Sequence, residues 1–381
     1  MPEAVIVGAV RTPIAKRNGA LRNVRADDLA ALVLKELVAR AGVNPRQVED
    51  VVLGCNTQIK EQGLNIGRLA ALIAGFPETV AGASVNRLCG SGQQAVNFAA
   101  QAIISGSGDM MIGGGVESMT RVPLLSDMDE FNPLYLARYQ LVPQGISADL
   151  VADKYGITRH EMDEYSLESH RRAIAAIDGG LFREETVAVP VADDTGKGFL
   201  FEIDEHPRRD TNLERLAALK PAFKPEGRIT AGNSSGIGDG AAALLLASLD
   251  KAHELGLKPR ARIVSMAAVG VDPVVMLDGT IPAIEKALAR ASLAVGDIDL
   301  WEINEAFASV PLATAKTLGI DRSRMNVNGG AIALGHPLGC SGARLIVTLL
   351  HEMERRGSRY GVSSLCIGLG QGIATVIERI G

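Results

Sequence analysis

Aromatic side chains make up only 4% of the 381 residues, with a single tryptophan. Core volume must therefore come from alanine, valine, leucine and isoleucine, which together with 42 glycines suit tightly packed α/β layers. Cysteine is scarce too. Cys55, Cys89, Cys340 and Cys366 form no CxxC pair, and none stands at zinc-finger spacing from the six histidines. A disulfide framework and a structural zinc site are thereby excluded, and free thiols in a reducing cytoplasm are the natural reading. The formal charge of −5 leaves no broad basic surplus to neutralise phosphates, which argues against a nucleic-acid partner. Long apolar runs are missing: AAALLLA at 241–247 falls far short of the roughly 20 residues that cross a bilayer. The N-terminus, MPEAVIVGAVRTP, enters a strand at once without a basic, then apolar, leader. A soluble, cytoplasmic protein with no membrane partner is expected, long enough for two domains or one large α/β body.

What is present is an alternation of strands and helices. Ala4–Val10 reads as a strand, Asp27 and Asp28 as caps of a helix ending at Gly42, and 48–54 as a second strand. A helix over 66–75, a buried strand over 80–85, a helix carrying Ala95, Phe98, Ala99, Ala102 and Ile103, and a strand over 109–115 follow. This alternation predicts a mainly parallel sheet covered on both faces. The last third repeats the plan about 250 residues later: ARAGVNPRQVEDVVL at 39–53 echoes ARASLAVGDIDLWEI at 289–303, and LCGSG at 88–92 echoes LGCSG at 338–342. MMIGGG at 110–115 is set against SLCIGLG at 364–370. Two copies of one α/β half are expected, with a site built from loops of both. Between them, roughly 119–236, prolines and charges rise, as in an insertion lying on the core. Its stretch 206–228 holds Arg208, Arg209, Arg215, Lys220, Lys224 and Arg228, which is either a solvated face or a local patch for phosphates.

Four stretches can carry chemistry. Cys89 stands at a strand-to-helix turn, where Gly90 and Gly92 permit a tight turn and close approach and the helix N-terminus favours a thiolate. It is a nucleophile or a small core residue. His336 lies in the glycine-rich NVNGGAIALGHPLGCSGAR, where it is positioned to take a proton from Cys89 if the halves face each other, or else is structural. Cys366 closes an apolar strand before Gly368, Gly370 and Gly372, as core filler or as a thiol at a loop. Asn304 and Glu305 follow the strand WEI and need buried partners or a held water.

Together these stretches resemble the thiolase family. LCGSG, GGVESM, AGNSSG, NEAF, NGGAIALGHPLG and CIGLG occur in the family's order over nearly the whole chain. The resemblance implies an α/β thiolase-like fold: two duplicated halves with mixed, mainly parallel sheets and helices between them, and an inserted loop domain. Residues 1–118 with 237–255 would form the N-terminal half, 119–236 the insertion and 256–381 the C-terminal half. It implies CoA-dependent cleavage of a 3-ketoacyl-CoA through a Cys89 acyl-enzyme, with His336 as activating base and Cys366 as acid and base. One oxyanion site would be His336 with a water held by Asn304, the other the N–H groups of Cys89 and Gly368. CoA, as co-substrate, would meet Arg208, Leu219, Phe223, Ser235 and Phe307, with no metal and no permanently bound cofactor. Partners would be acyl-CoA and CoA, with a homodimer through the N-terminal half or a homotetramer. Many acetoacetyl-CoA thiolases carry His-Met-Gly where this chain has LVPQGIS at 141–147, so a wider acyl pocket and a degradative role are expected. The alternatives are a biosynthetic acetyl-CoA C-acetyltransferase and a β-ketoacyl synthase-like condensing enzyme, the latter normally with a second active-site histidine. GNSSG at 232–236 also matches a hydrolase elbow around Ser234, but without the strand that motif needs before it.

Overall fold

The computed structural model describes residues 2–193 and 195–381. In chain order the elements are β1 (Ala4–Arg11), β2 (Ala15–Lys16), α1 (Ala26–Ala41), β3 (Asp50–Gly54), α2 (Ile66–Ile73), β4 (Ala81–Val85), α3 (Ser91–Ile104), β5 (Met110–Ser118), α4 (Pro133–Leu136), α5 (Gln144–Lys154), α6 (Arg159–Asp178), β6 (Val189–Ala192), β7 (Gly198–Phe201), α7 (Leu213–Ala217), β8 (Gly238–Ser248), α8 (Leu249–Glu254), β9 (Ala261–Gly270), α9 (Thr280–Ala291), β10 (Leu300–Ile303), α10 (Ser309–Leu318), α11 (Ala331–Leu334), α12 (Leu338–Arg356), β11 (Tyr360–Ile367) and β12 (Gln371–Arg379). Among the described residues no helix is long and apolar enough to cross a membrane.

One mixed sheet runs β10-β11-β12-β9-β1-β8-β5-β3-β4, with β2 beside β8. The two halves meet at a short antiparallel contact, Val5 opposite Arg262 and Ile6 opposite Ala261. The repeat is visible in register: β3 pairs β5 in parallel with Asp50 opposite Met111, and β10 pairs β11 in parallel with Leu300 opposite Gly361. Each member of the pair is displaced by 250 residues. The same register corrects one expectation. Gly113 corresponds to Ser363, not to the glycines after Cys366, because glycine runs look alike whatever their register. Parallel pairing is confined to β3–β4, β3–β5 and β10–β11. The other contacts are antiparallel: β8 returns beside β5 after the long segment between them, and β12 folds back on β11 as a hairpin with no intervening helix. The sheet is thus less parallel than strand–helix alternation predicts.

Helices α1 and α9 each end on a left-handed residue, Gly42 at φ 67° and Ser292 at φ 55°. Asp27 and Asp28 sit inside the first turn of α1 rather than capping it; Asp27 instead binds the Arg25 guanidinium. Helices α3 and α12 share one core with both halves of the sheet, through Ile6, Val96, Leu244, Ile346, Leu350 and Ile377. Glycine brings the two helices together: a methyl on Gly92 would lie 2.5 Å from the Gly339 carbonyl oxygen, and one on Gly342 would lie 2.4 Å from the Gln93 nitrogen. Strand β4 forms the end of the sheet and is half-buried rather than buried, and Phe98 of α3 is exposed.

Between β5 and β8 the chain lays α4 to α7 and the β6–β7 hairpin onto this body. The polar helix α6 turns Tyr165 and Ser169 inward, where both donate to the Glu305 carboxylate, at 2.8 and 2.7 Å. Buried Arg11 of β1 reaches Glu185 at 2.5 Å and Asp204 at 2.9 Å, clamping the segment to the first strand.

Candidate active site

Cys89 lies between β4 and α3, 4% exposed. The strained position of the turn is not a glycine but Leu88, at φ 48°. Local bonds hold it: the Leu88 N–H donates to Asn86 Oδ1 at 2.8 Å, and the Ser91 hydroxyl donates to the Leu88 carbonyl at 2.6 Å. Burial raises the Cys89 thiol above its ordinary value, opposed by hydrogen bonds from the Gly368 N–H, from its own N–H and from the Gln144 side chain. Cys366, at the end of β11, is held well above the ordinary range, first by burial and then by the neighbouring Cys89. The structure therefore brings Cys89, Cys366 and Gly368 together.

His336 follows Gly335, at φ 93°, whose lack of a side chain lets the His206 ring pack against the backbone: a Cβ there would lie 2.5 Å from His206 Nε2. Its N–H donates to the Gly236 carbonyl at 2.9 Å, so the loop after α11 is anchored on the AGNSSG segment. Leu338, two residues on, packs against Cys89 and Met119. The ring is bound at both nitrogens: Nδ1 lies 2.6 Å from Ser341 Oγ, and Nε2 lies 3.2 Å from Asn304 Nδ2. Ser341 has one hydroxyl proton, and it donates that proton to the Pro337 carbonyl at 2.8 Å. Nδ1 must then carry the ring proton, which leaves a lone pair on Nε2; this tautomer is assigned from the bonding pattern. Burial first, and the charge of Arg344 second, push the imidazole down to about 3, so it is neutral at physiological pH. Asn304 Oδ1 is buried and has no protein partner, the setting in which a held water fits.

Three supporting residues were not singled out from sequence. Ser341 is one, although it lies inside the LGCSG echo. Glu117 is another: from β5 it accepts from Asn56 N at 2.8 Å, Thr57 N at 3.2 Å, Gln62 Nε2 at 2.7 Å and Gly339 N at 2.9 Å, tying the 55–62 loop to the first turn of α12. Gln144, the first residue of α5, is the third. Its amide lies against Gly368, where Nε2 would be 3.0 Å from a methyl on that residue.

The residues expected to meet CoA fall in two places. Phe223 and Phe307 meet edge to face at 6.0 Å, Leu219 covers Gly232, and the Ser235 N–H donates to the Ala306 carbonyl at 3.0 Å, so these four line one region. Arg208 is exposed on a separate loop fixed by its N–H to His170 Nδ1 at 3.2 Å. The basic run around it is largely neutralised: Arg209 pairs with Asp178, Arg215 with Asp210, and Arg228 with Asp149 and Asp153. Among the described residues Arg208 and Lys220 are the cations of that run without an ion pair. Ser234 donates to the Thr230 carbonyl at 2.7 Å and follows turn rather than strand, which removes the hydrolase elbow. Among the described residues no group of three His, Cys, Asp or Glu side chains is placed to hold a metal ion.

The chain is similar to known proteins along its whole length. Residues 4–250 match the family "Thiolase, N-terminal domain" and residues 257–379 match "Thiolase, C-terminal domain". A 3-ketoacyl-CoA thiolase of Acinetobacter baumannii (strain AYE) is 49% identical over 99% of this chain and 98% of its own. One of Aeromonas hydrophila is 47% identical over 100% of both. The crystal structure of the Bacillus anthracis acetyl-CoA acetyltransferase superposes with a TM-score of 0.93 at 43% identity, covering 100% of this chain and 99% of that one. Matched in both halves and over its whole length, the chain belongs to the thiolase family of acyltransferases.

Proposed function

We propose that this thiolase cleaves 3-ketoacyl-CoA with CoA, giving acetyl-CoA and an acyl-CoA two carbons shorter. The observation that carries the reading is a second thiol, Cys366, beside Cys89, with a neutral imidazole, His336, whose Nε2 lone pair is free of its own proton and whose loop packs Leu338 against Cys89. Nε2 takes the Cys89 proton and the thiolate attacks C3 of the substrate. The oxyanion is received by His336 with the water position at Asn304. The C2–C3 bond breaks with its electron pair on C2, and Cys366 gives that carbon a proton. CoA thiol then attacks the Cys89 thioester, losing its proton to the Cys366 thiolate while the Cys89 and Gly368 N–H groups hold the second oxyanion. Cys89 leaves as the thiolate and recovers the proton from His336, closing the cycle. Leu219, Phe223, Ser235 and Phe307 would line the pantetheine, and Arg208 would meet the nucleotide end.

Two similar proteins named 3-ketoacyl-CoA thiolase favour the degradative direction. The second reading, acetyl-CoA C-acetyltransferase, is favoured by the name of the solved relative. Asn304, rather than a second histidine, beside His336 disfavours the synthase-like alternative. The test is CoA-dependent cleavage of a 3-ketoacyl-CoA series, from acetoacetyl to long and branched chains, in wild type, Cys89→Ala and Cys366→Ala. Cleavage of chains longer than acetoacetyl that is lost in both variants supports the reading. Activity on acetoacetyl-CoA alone would move the assignment to the second reading, and full activity in Cys89→Ala would end it.

The same reading extends to a homodimer. The outer edge of β4 is unpaired among the described residues and is flanked by exposed Ile73 of α2 and Phe98 of α3, 50% and 42% accessible. A second copy that pairs its own β4 there would cover both. Light scattering should give a dimer mass that falls to monomer in the double variant Ile73→Glu, Phe98→Glu, which places charge on both exposed flanks of that edge; a monomeric wild type would remove this part, and a tetramer would add a second face.

A further inference from the structure

We infer that Gln144 is the side-chain donor that holds the sulfur of Cys89 as a thiolate, completing a cradle whose other donors are the backbone N–H groups of Gly368 and Cys89. The inference rests on the reading of Cys89 as nucleophile. Its geometric basis is the position of Gln144 Nε2 against Gly368, the residue whose N–H points at the same sulfur: even a methyl on Gly368 would lie 3.0 Å from that nitrogen, and 3.2 Å from Leu88 Cδ1. The amide is not a loose surface group. Pro143 precedes it at the start of α5, and the Ile146 N–H donates to the Pro143 carbonyl at 2.9 Å. Gly145 lies flush against the Phe223 ring, where a Cβ would be 2.1 Å from Cδ2, and Ser147 Oγ donates to the Val274 carbonyl at 2.6 Å. The backbone on either side of Gln144 is therefore pinned.

The chemistry gives this donor weight. A buried thiolate is stabilised by a nearby cation or by aimed N–H groups. His336, from the loop before α12, is pushed down to about 3 with Arg344 behind it, so an imidazolium is a poor counter-ion in the resting site. Glu117 of β5 opposes a negative sulfur, and Cys366 of β11 is protonated. The acidic groups of α5 itself, Asp149 and Asp153, are taken up by Arg228. Neutral donors are left to hold the anion, and Gln144 is the one supplied by a side chain, so it is the one substitution can remove.

The test is the pH dependence of Cys89 alkylation by iodoacetamide, measured on the intact protein and assigned by peptide mass, in wild type, Gln144→Met and Gln144→Glu. Loss of one hydrogen bond to a charged acceptor should raise the midpoint in Gln144→Met by about one pH unit, about a tenfold loss of thiolate at neutral pH. Gln144→Glu, of the same shape but placing a carboxylate at the sulfur, should raise it further. Thiolysis kcat/KM at pH 7 should fall about tenfold in Gln144→Met and recover at higher pH. Midpoints that stay at the wild-type value in both variants would overturn the inference, even if activity falls. Alkylation is read without substrate, so the two ideas separate: shifted midpoints in a protein that cleaves no 3-ketoacyl-CoA would keep this inference and end the proposed reaction.

Discussion

Ser341 has a single hydroxyl proton, and its use decides the chemistry of the ring 2.6 Å away. Because that proton goes to the Pro337 carbonyl, His336 must donate from Nδ1 and present Nε2 as a base. Ser341→Ala removes the acceptor while leaving the helix intact, and the ring is then free to hold its proton on either nitrogen. The expected outcome is a fall in kcat of about tenfold to a hundredfold with little change in KM, in line with the effect of other groups that orient a catalytic ring. Nitrogen NMR of the labelled imidazole should show a mixed tautomer in the variant and a single Nδ1–H form in the wild type. A single Nδ1–H form in both would remove the role from Ser341. At this scale the sequence singles out candidate groups and is silent about what surrounds them. Cys89, His336 and Cys366 stand out because thiols and imidazoles are few and are set among glycines. Ser341, Glu117 and Gln144 are ordinary polar residues whose roles exist only once another element is placed against them.

Helices α3 and α12 meet closely, each presenting glycine to the other's backbone. Gly92→Ala is a case where two effects oppose. Alanine in a helix is favoured over glycine by about 1 kcal/mol, but the added methyl would lie 2.5 Å from the Gly339 oxygen and 2.9 Å from the Ala343 nitrogen. Backbone atoms on both helices would have to move, an overpacking cost of about 1–3 kcal/mol before any loss of geometry at Cys89 and His336. Net destabilisation of about 1–2 kcal/mol is expected by urea unfolding. Gly296→Ala, where a methyl meets nothing within 4 Å, should stay within about 0.5 kcal/mol of wild type. Equal stability in the two variants would show that α3 and α12 can separate freely. Most of these elements were legible in the chain, because the 250-residue echo carries helix ends and strand starts together. The register of the third echo was not, nor was the antiparallel middle of the sheet. Periodicity marks a strand but carries no information about its neighbour. The small residues of β4 suit core and edge alike, so sequence alone points to a buried strand where the structure has a half-buried one.

For the molecule as a whole, the insertion and both halves are held together by buried polar groups, and several of them are histidines. His170 fixes the Arg208 loop and is pushed down to about 4, first by burial and then by the Arg208 charge; His336 is pushed down to about 3. His206 and His351 are lowered as well, again first by burial. In the unfolded chain each returns to about 6.5. Between pH 6.5 and 4 the unfolded histidines therefore bind protons that the folded ones refuse, so their contribution to stability is complete above 6.5 and is lost as the pH falls; Glu302, pushed up to about 8 by burial, acts in the opposite sense. For His170 and His336 alone the loss approaches about 1.4 kcal/mol each per pH unit once the pH is well below 6.5. Urea unfolding at pH 7.5, 6.5, 5.8 and 5.0, read as wild type against His170→Gln so that Glu302 and the other histidines cancel, should give a difference that is flat at first and then changes with increasing slope. His170→Gln keeps an acceptor for the Arg208 N–H but has no proton to gain, and its slope should be shallower by one histidine's share. If wild type and His170→Gln lost stability in parallel over this range, His170 would titrate alike in both states, and the acid sensitivity would have to come from carboxylates instead.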